Sequence, residues 1–516
     1  MTPRLATHHA FTSAAASSVV NDVHSQLNAT RVARIVRPSG LGALVEAVRA
    51  AREGGGHLAV AGGRHAMGGQ QFAAGCTLLD TARLDRVLHF DRDRGTLDVE
   101  AGIQWPKLVR FLHDHQPPDL HESGGRHAWA IAQKQTGADR LSLGGSLSSN
   151  VHGRGLRMKP FVGDVESFAL VDADGSLRTC SRAESPDLFR LAVGGYGLFG
   201  VVYAVRLRLA RRRKLRRVVV ETTADELPDA FRRRIEEGFL YGDFQFAIDE
   251  RSDDFLRRGI MSCYEPVPDE TSMPTEVRGL REKDWCDLIH LAHTDKSRAY
   301  CRYADYYLST NGQLYWSDLH QLATYIDDYH GNLDPPSGSP KSSEVITELY
   351  VPRPDLPAFL RSLRAELRDA RADVIYGTIR LIERDDETFL PWARENYACV
   401  ILNLHVNHTP AEIARAAEAF RRVIDVAIAF GGSYYLTYHK WATKEQVEAC
   451  HPQFRRFLEL KKEYDPTEMF QSNWYRHYRE LFGMNNPATA AAGRGITPEP
   501  PASEGHKTLT GISSFT

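Results

Sequence analysis

The sequence predicts an α+β protein of two domains, and three observations carry that prediction. At 516 residues the chain exceeds what one hydrophobic core accommodates. Up to about residue 217, short apolar strands alternate with glycine-rich turns and brief helices. Beyond it the chain turns aromatic (Tyr303, Tyr306, Tyr307, Tyr315, Trp316, Tyr325, Tyr329), and four strand patterns are interleaved with amphipathic helices.

Residues 1–25 read as a loose arm, rich in Ala, Ser and Thr. Pro38-Ser-Gly40 then opens a helix with Leu41, Leu44, Val45 and Val48 at helical spacing, ended by Gly54-Gly-Gly56. A buried strand, Leu58 to Ala61, runs into a turn holding Gly62, Gly63, Gly68 and Gly69. Thr77 to Asp80 is another short strand. Val87 to Phe90 and Thr96 to Ala101 flank Asp91-Arg-Asp-Arg-Gly95 as a hairpin. Pro106 suits the first turn of a helix with Leu108, Val109 and Leu112 inward. An irregular stretch over 117–140 precedes a second glycine-marked segment, Leu141 to Gly153. Val165–Val171 and Leu177–Cys180 form a hairpin around Asp172-Ala-Asp-Gly175. A helix near Asp187 leads to Gly194-Gly-Tyr-Gly-Leu-Phe-Gly200 and a strand from Val201. This last motif contains GxGxxG, but with the helix before and the strand after, so it fails as a dinucleotide fingerprint and serves as a tight turn.

In the second half, Ile346–Val351, Val374–Leu381, Ala398–Val406 and Ser433–His439 read as four strands of one sheet. Leu356–Ala370 and Ala411–Phe430 read as its helices. The chain divides into an arm (1–25), a first domain (26–217), a second domain (218–450), a C-terminal return to the first domain (451–484) and a disordered tail (485–516).

The formal net charge of −2 argues against nucleic acid as a partner. The basic run Arg211–Arg217 reads as a solvated edge between domains. No segment reaches the length of a membrane helix. Seven scattered cysteines without a CxxC, and no secretory leader, point to the cytoplasm.

The first glycine turn is where the chemistry concentrates. Glycine at this density brings backbone close to a bulky ligand, and free amides in such a turn form a nest for a pyrophosphate. His65 is the nucleophile at its centre. The three glycine turns, in this order before a long aromatic insertion and a short return, resemble the FAD-dependent oxidoreductases of the vanillyl-alcohol oxidase / p-cresol methylhydroxylase type. The likeness rests on Ala61-Gly-Gly-Arg-His-Ala-Met-Gly68, Gly102-Ile-Gln-Trp105, Leu143 to Gly153, Asp187 through Gly200, and Tyr464-Asp-Pro466. Within that superfamily the chain is most similar to alditol oxidases and decaprenylphosphoryl-ribose oxidases.

The resemblance implies a PCMH-type FAD-binding domain of two α/β subdomains and a substrate (cap) domain with an antiparallel sheet flanked by helices. FAD would lie against Gly62, Gly63, Arg64, His65, Ala66, Met67 and Gln70. Further contacts would come from Thr136, Gly137 and Asp139, from Gly144, Gly145, Ser148, Asn150, His152 and Gly153, and from Gly200, Val201 and Asn473. His65 stands where several relatives join histidine to the flavin 8α-methyl, so a covalent FAD is expected. His152 is expected to support the flavin loop.

The resemblance implies oxidation of a hydroxyl group on a small sugar- or polyol-like molecule, with hydride passing to flavin and then to O2 or another acceptor. Arg380 matches the arginine of the alditol oxidases' Glu-x-Arg motif, with Thr378 in place of the glutamate. His405 matches a polar, substrate-facing position. Along Tyr434–Lys440, strand alternation would turn Tyr438 and Lys440 to one side and His439 to the other. Lys440 or Arg380 would stabilise reduced flavin. Arg380, His405, Tyr438, His439 and Lys440 are thus the catalytic candidates. No metal is expected: His405 and His408, three apart on a strand, face opposite ways, and a third ligand is not evident. The acidic run Glu383–Glu387 reads as a solvated loop or a polar rim. A monomer or homodimer is expected. The alternatives are a flavin partner in epimerisation or C=C reduction, and a flavin-fold binding protein without turnover.

Overall fold

A computed structural model describes residues 17–116, 128–323, 325–327, 340–484 and 511–513. The first domain has the two expected α/β subdomains. One is a three-stranded parallel sheet in which Thr77–Asp80 lies between Arg34–Val36 and Leu58–Ala61. The helix Leu41–Glu53 makes its crossover, burying Leu44, Val48 and Ala51 at helical spacing. The other is a five-stranded antiparallel sheet in the order Leu177–Ser181, Val165–Val171, Val201–Arg208, Thr96–Glu100, Val87–Asp91. Both hairpins appear, with Gly95 and Gly175 at φ 65° and 72°, the left-handed conformation that glycine adopts without a Cβ clash.

The second domain is built on an eight-stranded antiparallel sheet. Its order is Leu314–Trp316, Lys214–Thr223, Arg258–Pro266, Tyr241–Phe246, Val374–Ile382, Tyr397–Asn407, Ser342–Pro352, Ser433–Tyr434. The helices Leu356–Asp369 and Pro410–Ala429 pack on the sheet and on each other, the first through Leu356, Phe359, Leu360, Leu363 and Leu367. All four expected strands share this sheet.

Five expectations are corrected. Residues 18–25 do not form a loose arm: Ser18–Val20 pairs with Thr30–Val32, and Asp22 and Ser25 are buried. Residues 1–16 lie outside the described residues. The domain boundary falls earlier than 217, because Lys214–Thr223 is one continuous strand of the cap sheet. The basic run is not a solvated edge throughout. Arg217 is buried, with its guanidinium 4.7 to 5.1 Å from the ring centres of Tyr264, Tyr307 and Tyr315, contacts worth about 0.5–2 kcal/mol each. Arg212 pairs with buried Asp318 at 3.0 Å. The fourth strand stops at Tyr434, so the alternation assigned to Tyr438, His439 and Lys440 does not apply. The tail is not disordered throughout, since Gly511–Ser513 pairs with Tyr325–Asp327; 485–510 and 514–516 lie outside the described residues.

Candidate functional site

A cleft runs between the first domain and the cap sheet. The glycine turn forms one wall, contributing Gly62, Gly63, Arg64, His65, Ala66, Met67 and Gln70. Its glycines serve close approach more than unusual dihedrals. A Cβ on Gly63 would stand 2.3 Å from the Arg140 carbonyl oxygen, and one on Gly62 would stand 1.9 Å from Ser142 Oγ. The left-handed positions are Gly69, at φ 79°, and Arg64, at φ 60°, whose guanidinium reaches Asp80 at 3.1 Å. Gln70 fastens the loop to the segment after the last cap strand: its Nε2 donates to the carbonyls of Leu436 and Thr437 at 2.9 and 3.0 Å, while its Oε1 accepts from the Gly68 amide.

The second segment supplies Gly144, Gly145 and Ser148 to the cleft, and the stretch before it supplies Thr136 and Gly137. It is a short helix, Leu143–Ser149, capped by Ser142 and ended by Asn150 at φ 47°. Asn150 faces away from the cleft; its carboxamide donates to buried Asp385 at 2.9 Å and accepts from the Val162 amide. The acidic run is therefore not a rim over the site. Asp385 braces the flavin-side loop, and Asp386 and Glu387 pair with Lys159 and Arg182. The third turn contributes Gly197 and Gly200.

The opposite wall is one face of the cap sheet. Residues facing each other across antiparallel strands share a face, and the register sets three cleft-facing rows across three strands. They are Ile346, Asn403 and Tyr376; Glu348, Ile401 and Thr378; and Tyr350, Cys399 and Arg380. A further pair, Glu344 opposite His405, extends the same face. Glu344, Ile346, Glu348, Tyr376, Arg380, Ile401 and Asn403 all line the cleft.

Glu348 is the polar hub of this wall. It accepts from Tyr438 at 2.7 Å and from Tyr350 at 2.8 Å, and lies 2.9 Å from His152 Nε2. Burial alone would raise its pKa; the adjoining His152 and the two tyrosine hydroxyls outweigh that and hold it below the ordinary value. Burial, followed by the Glu348 charge, pushes the Tyr438 hydroxyl well above the usual range. Arg380 is buried, and its Nε and Nη1 have no hydrogen-bond partner among the described residues. Unpaired buried donors call for an acceptor, and these face the cleft.

At the other end, His65 Nδ1 lies 2.8 Å from His24 Nε2. Burial, then the neighbouring His24, lowers the His65 pKa well below the ordinary value, so its imidazole is neutral and keeps a nucleophilic lone pair.

Of the residues named from the sequence, several stand behind the cleft rather than on it. Asp139 pairs with buried Lys134 at 2.6 Å. His152 places its two ring nitrogens on acceptors, Nε2 on the Glu348 carboxylate and Nδ1 on the Gly153 carbonyl. Gly153 packs against the Lys134 carbonyl. Val201 belongs to the apolar core around Leu58 and Phe470. Asn473 ties Thr30 to the Ala74 amide. Among the catalytic candidates, Arg380 and Tyr438 line the cleft, whereas His405, His439 and Lys440 do not. His439 is stacked on Trp441 and packed against the tilted ring of Phe420, and burial pushes its pKa down to about 3. Lys440 borders a separate cavity with His439 and Asn473. The sequence reading passed over Glu348, Glu344, Tyr376, Asn403 and His24. A carboxylate at the centre of the apolar strand Ile346–Val351 was the available signal for the first.

The residues fit FAD. The amides of Gly63 to Ala66 find no acceptor among the described residues, leaving the turn able to cradle a pyrophosphate, and Arg380 offers donors at the opposite wall. Residues 32–181 match the family described as FAD binding domain, and residues 341–478 match the D-arabinono-1,4-lactone oxidase family. The chain is 29% identical over 160 residues to L-galactono-1,4-lactone dehydrogenase 2, mitochondrial, of Oryza sativa subsp. japonica, covering 31% of this chain and 25% of that protein. It is 26% identical over 193 residues to L-gulonolactone oxidase of Mus musculus (37% of this chain, 41% of that one). It is 32% identical over 177 residues to the uncharacterized oxidoreductase ORF5 in fasciation locus of Rhodococcoides fascians (34% and 37%). The matches span a quarter to two-fifths of the length of these relatives. The three glycine turns that share one cleft with the cap sheet, together with the two family matches, make FAD the cofactor and place the chain in the superfamily of FAD-binding oxidoreductases with a PCMH-type FAD-binding domain.

Proposed function

We propose that this protein oxidises a secondary or primary hydroxyl of a small sugar-like molecule, an aldono-1,4-lactone being the class its relatives' names favour. The observation that carries the reading is the pairing, on one cleft-facing sheet, of an ionised carboxylate with a buried guanidinium whose Nε and Nη1 lack an acceptor among the described residues. Thr378 occupies the glutamate position of the Glu-x-Arg motif, and Glu348 lies in the same row two strands away, about 10 Å across the sheet. The carboxylate is thus supplied from a different strand.

Bound FAD supplies the hydride acceptor. Arg380 holds a substrate oxygen through Nε and Nη1, fixing the reacting carbon. Tyr438 accepts the substrate hydroxyl proton while its own proton passes to Glu348 Oε1, 2.7 Å away; the raised tyrosine pKa keeps that proton in place until substrate binds. Ile346, Ile401 and Val151 exclude water from the wall. His65 is the residue that would bond the flavin 8α position, supported by its placement in the cleft and its neutral imidazole. The electron acceptor is O2 or a protein or quinone partner, and the molecule works as a monomer or homodimer. Its seven cysteines are free thiols, which supports a reducing compartment such as the cytoplasm. No helix among the described residues is long and apolar enough to cross a membrane.

The test is anaerobic titration of the purified flavoprotein with aldono-1,4-lactones and, separately, with linear polyols. Bleaching by a lactone, lost in Tyr438→Phe with flavin content unchanged, is the expected result. A flavin that no hydroxylated substrate reduces removes the reading.

A further inference from the structure

A second cluster lies where the cleft-facing sheet extends beyond His24 and His65. Glu344 and His405 face each other across adjacent antiparallel strands, and His293 projects onto them from the helix Glu282–Thr294. His293 Nε2 is 3.4 Å from Glu344 Oε1, and His405 Nδ1 is 3.7 Å from the same oxygen. One ligand atom from each residue lies within 4.8 Å of the others, and the imidazoles meet edge to face at 83°.

We propose that His293, Glu344 and His405 bind a divalent transition-metal ion of the Zn²⁺ class. Zinc holds imidazole nitrogen and carboxylate oxygen at about 2.0–2.2 Å, which sets neighbouring ligand atoms of a tetrahedral site about 3.3–3.6 Å apart. The His293 separation of 3.4 Å falls on that edge and the His405 separation of 3.7 Å lies just beyond it; both are longer than a direct charge-assisted hydrogen bond, about 2.7–2.9 Å. His293 Nε2 is buried with no hydrogen-bond partner among the described residues, a state an imidazole nitrogen rarely occupies without a ligand. Two of the ligands are placed by strand register and the third by a helix, so a small side-chain adjustment closes the site.

His408 takes no part. It lies 2.8 Å from Ser343 Oγ, and the His405-x-x-His408 spacing that argues against a metal is not the one the fold uses. The other His/Glu/Cys group, His152, Glu348 and Cys399, is unsuited: both His152 nitrogens are engaged, and burial keeps the Cys399 thiol protonated. Of the three proposed ligands, Glu344 alone lines the cleft, so the fourth position is left for water or an oxygen of the molecule in the cleft. The assignment stands independently of the redox reaction proposed above.

The experiment uses the full-length, untagged, flavin-loaded protein, stripped with a chelator, incubated with Zn²⁺ or Co²⁺ and desalted. Expected are one retained equivalent by elemental analysis, visible bands of tetrahedral Co²⁺, and a Zn²⁺-dependent rise in melting temperature. His293→Ala and His405→Ala should each weaken retention at least tenfold, while His408→Ala retains the metal. Flavin content reports that each variant is folded. Glu344→Gln adds a third arm. No retention by the wild type, or equal retention by the folded histidine variants, overturns the proposal.

Discussion

Replacing Glu348 by glutamine tests the central feature of the cleft without needing a substrate. The carboxylate receives Tyr438 and Tyr350 and adjoins His152, all within 2.9 Å. A hydrogen bond to a charged group contributes about 1.5–3 kcal/mol and a neutral one about 0.5–1.5. Neutralising the acceptor at constant shape therefore removes about 1 kcal/mol per contact, or about 3 in all. Relief of the desolvated charge offsets part of this, leaving an expected loss of about 1–3 kcal/mol. Alanine is harsher, since it leaves three buried groups unpaired at about 1–3 kcal/mol each. The pH dependence has a definite sign. The folded-state pKa of Glu348 is depressed, so its stabilisation is fully present above the ordinary glutamate value of 4.5 and is lost as pH falls through the folded value beneath it. Urea unfolding of both proteins, at neutral pH and again well below 4.5, should show the glutamine variant weaker at neutral pH and the gap narrowing in acid. Equal stability at neutral pH, or a gap that widens in acid, would show that Glu348 is not held as a buried anion.

Arg380→Met should lower kcat/KM by about 30- to 1000-fold, the equivalent of about 2–4 kcal/mol of transition-state stabilisation, with flavin content retained; a change of only a few-fold removes its clamping role. Acid precipitation of the wild type should leave flavin in the pellet, and His65→Ala should release it; free flavin from the wild type refutes the covalent bond. Gly63→Ala should cost about 1–3 kcal/mol by overpacking, because its Cβ meets the Arg140 carbonyl at 2.3 Å; normal stability and flavin content would show that the 140–142 loop yields.

What the sequence disclosed follows the range over which each feature is encoded. The glycine turn at 62–69 was readable because close backbone approach is a local demand, although Arg64 shares the left-handed conformation with Gly69. Helical spacing located Leu41–Glu53 and Leu356–Asp369 for the same reason. The cap-side wall was less visible. Thr378, Glu348 and Ile401 form one row only through a register spanning three strands, and no window of sequence shows that Glu348 stands in the row of the missing motif glutamate. His24 was set aside within a Ser/Ala-rich arm, yet the pairing of Ser18–Val20 with Thr30–Val32 carries it to His65. Arg217 looked solvated because a charge run ordinarily is; three tyrosines distant in sequence supply its burial.

The same long-range logic explains why the cleft belongs to neither domain alone. Its flavin-side loop is held by Gln70 on the carbonyls of Leu436 and Thr437, by the Met67 amide on the Thr437 carbonyl, and by Tyr435 on the Ser149 carbonyl at 2.6 Å. Asn150 is fixed from the cap by Asp385, and its carbonyl accepts from Trp392 Nε1 at 3.0 Å. Each of these bonds joins residues more than 230 positions apart, so the cleft closes only after both sheets have formed and docked. A loop that the opposite domain must brace is also a loop whose position that domain can set. The cap thereby fixes the distance between the glycine turn and the Arg380–Glu348 wall, the dimension on which the proposed hydride transfer would depend.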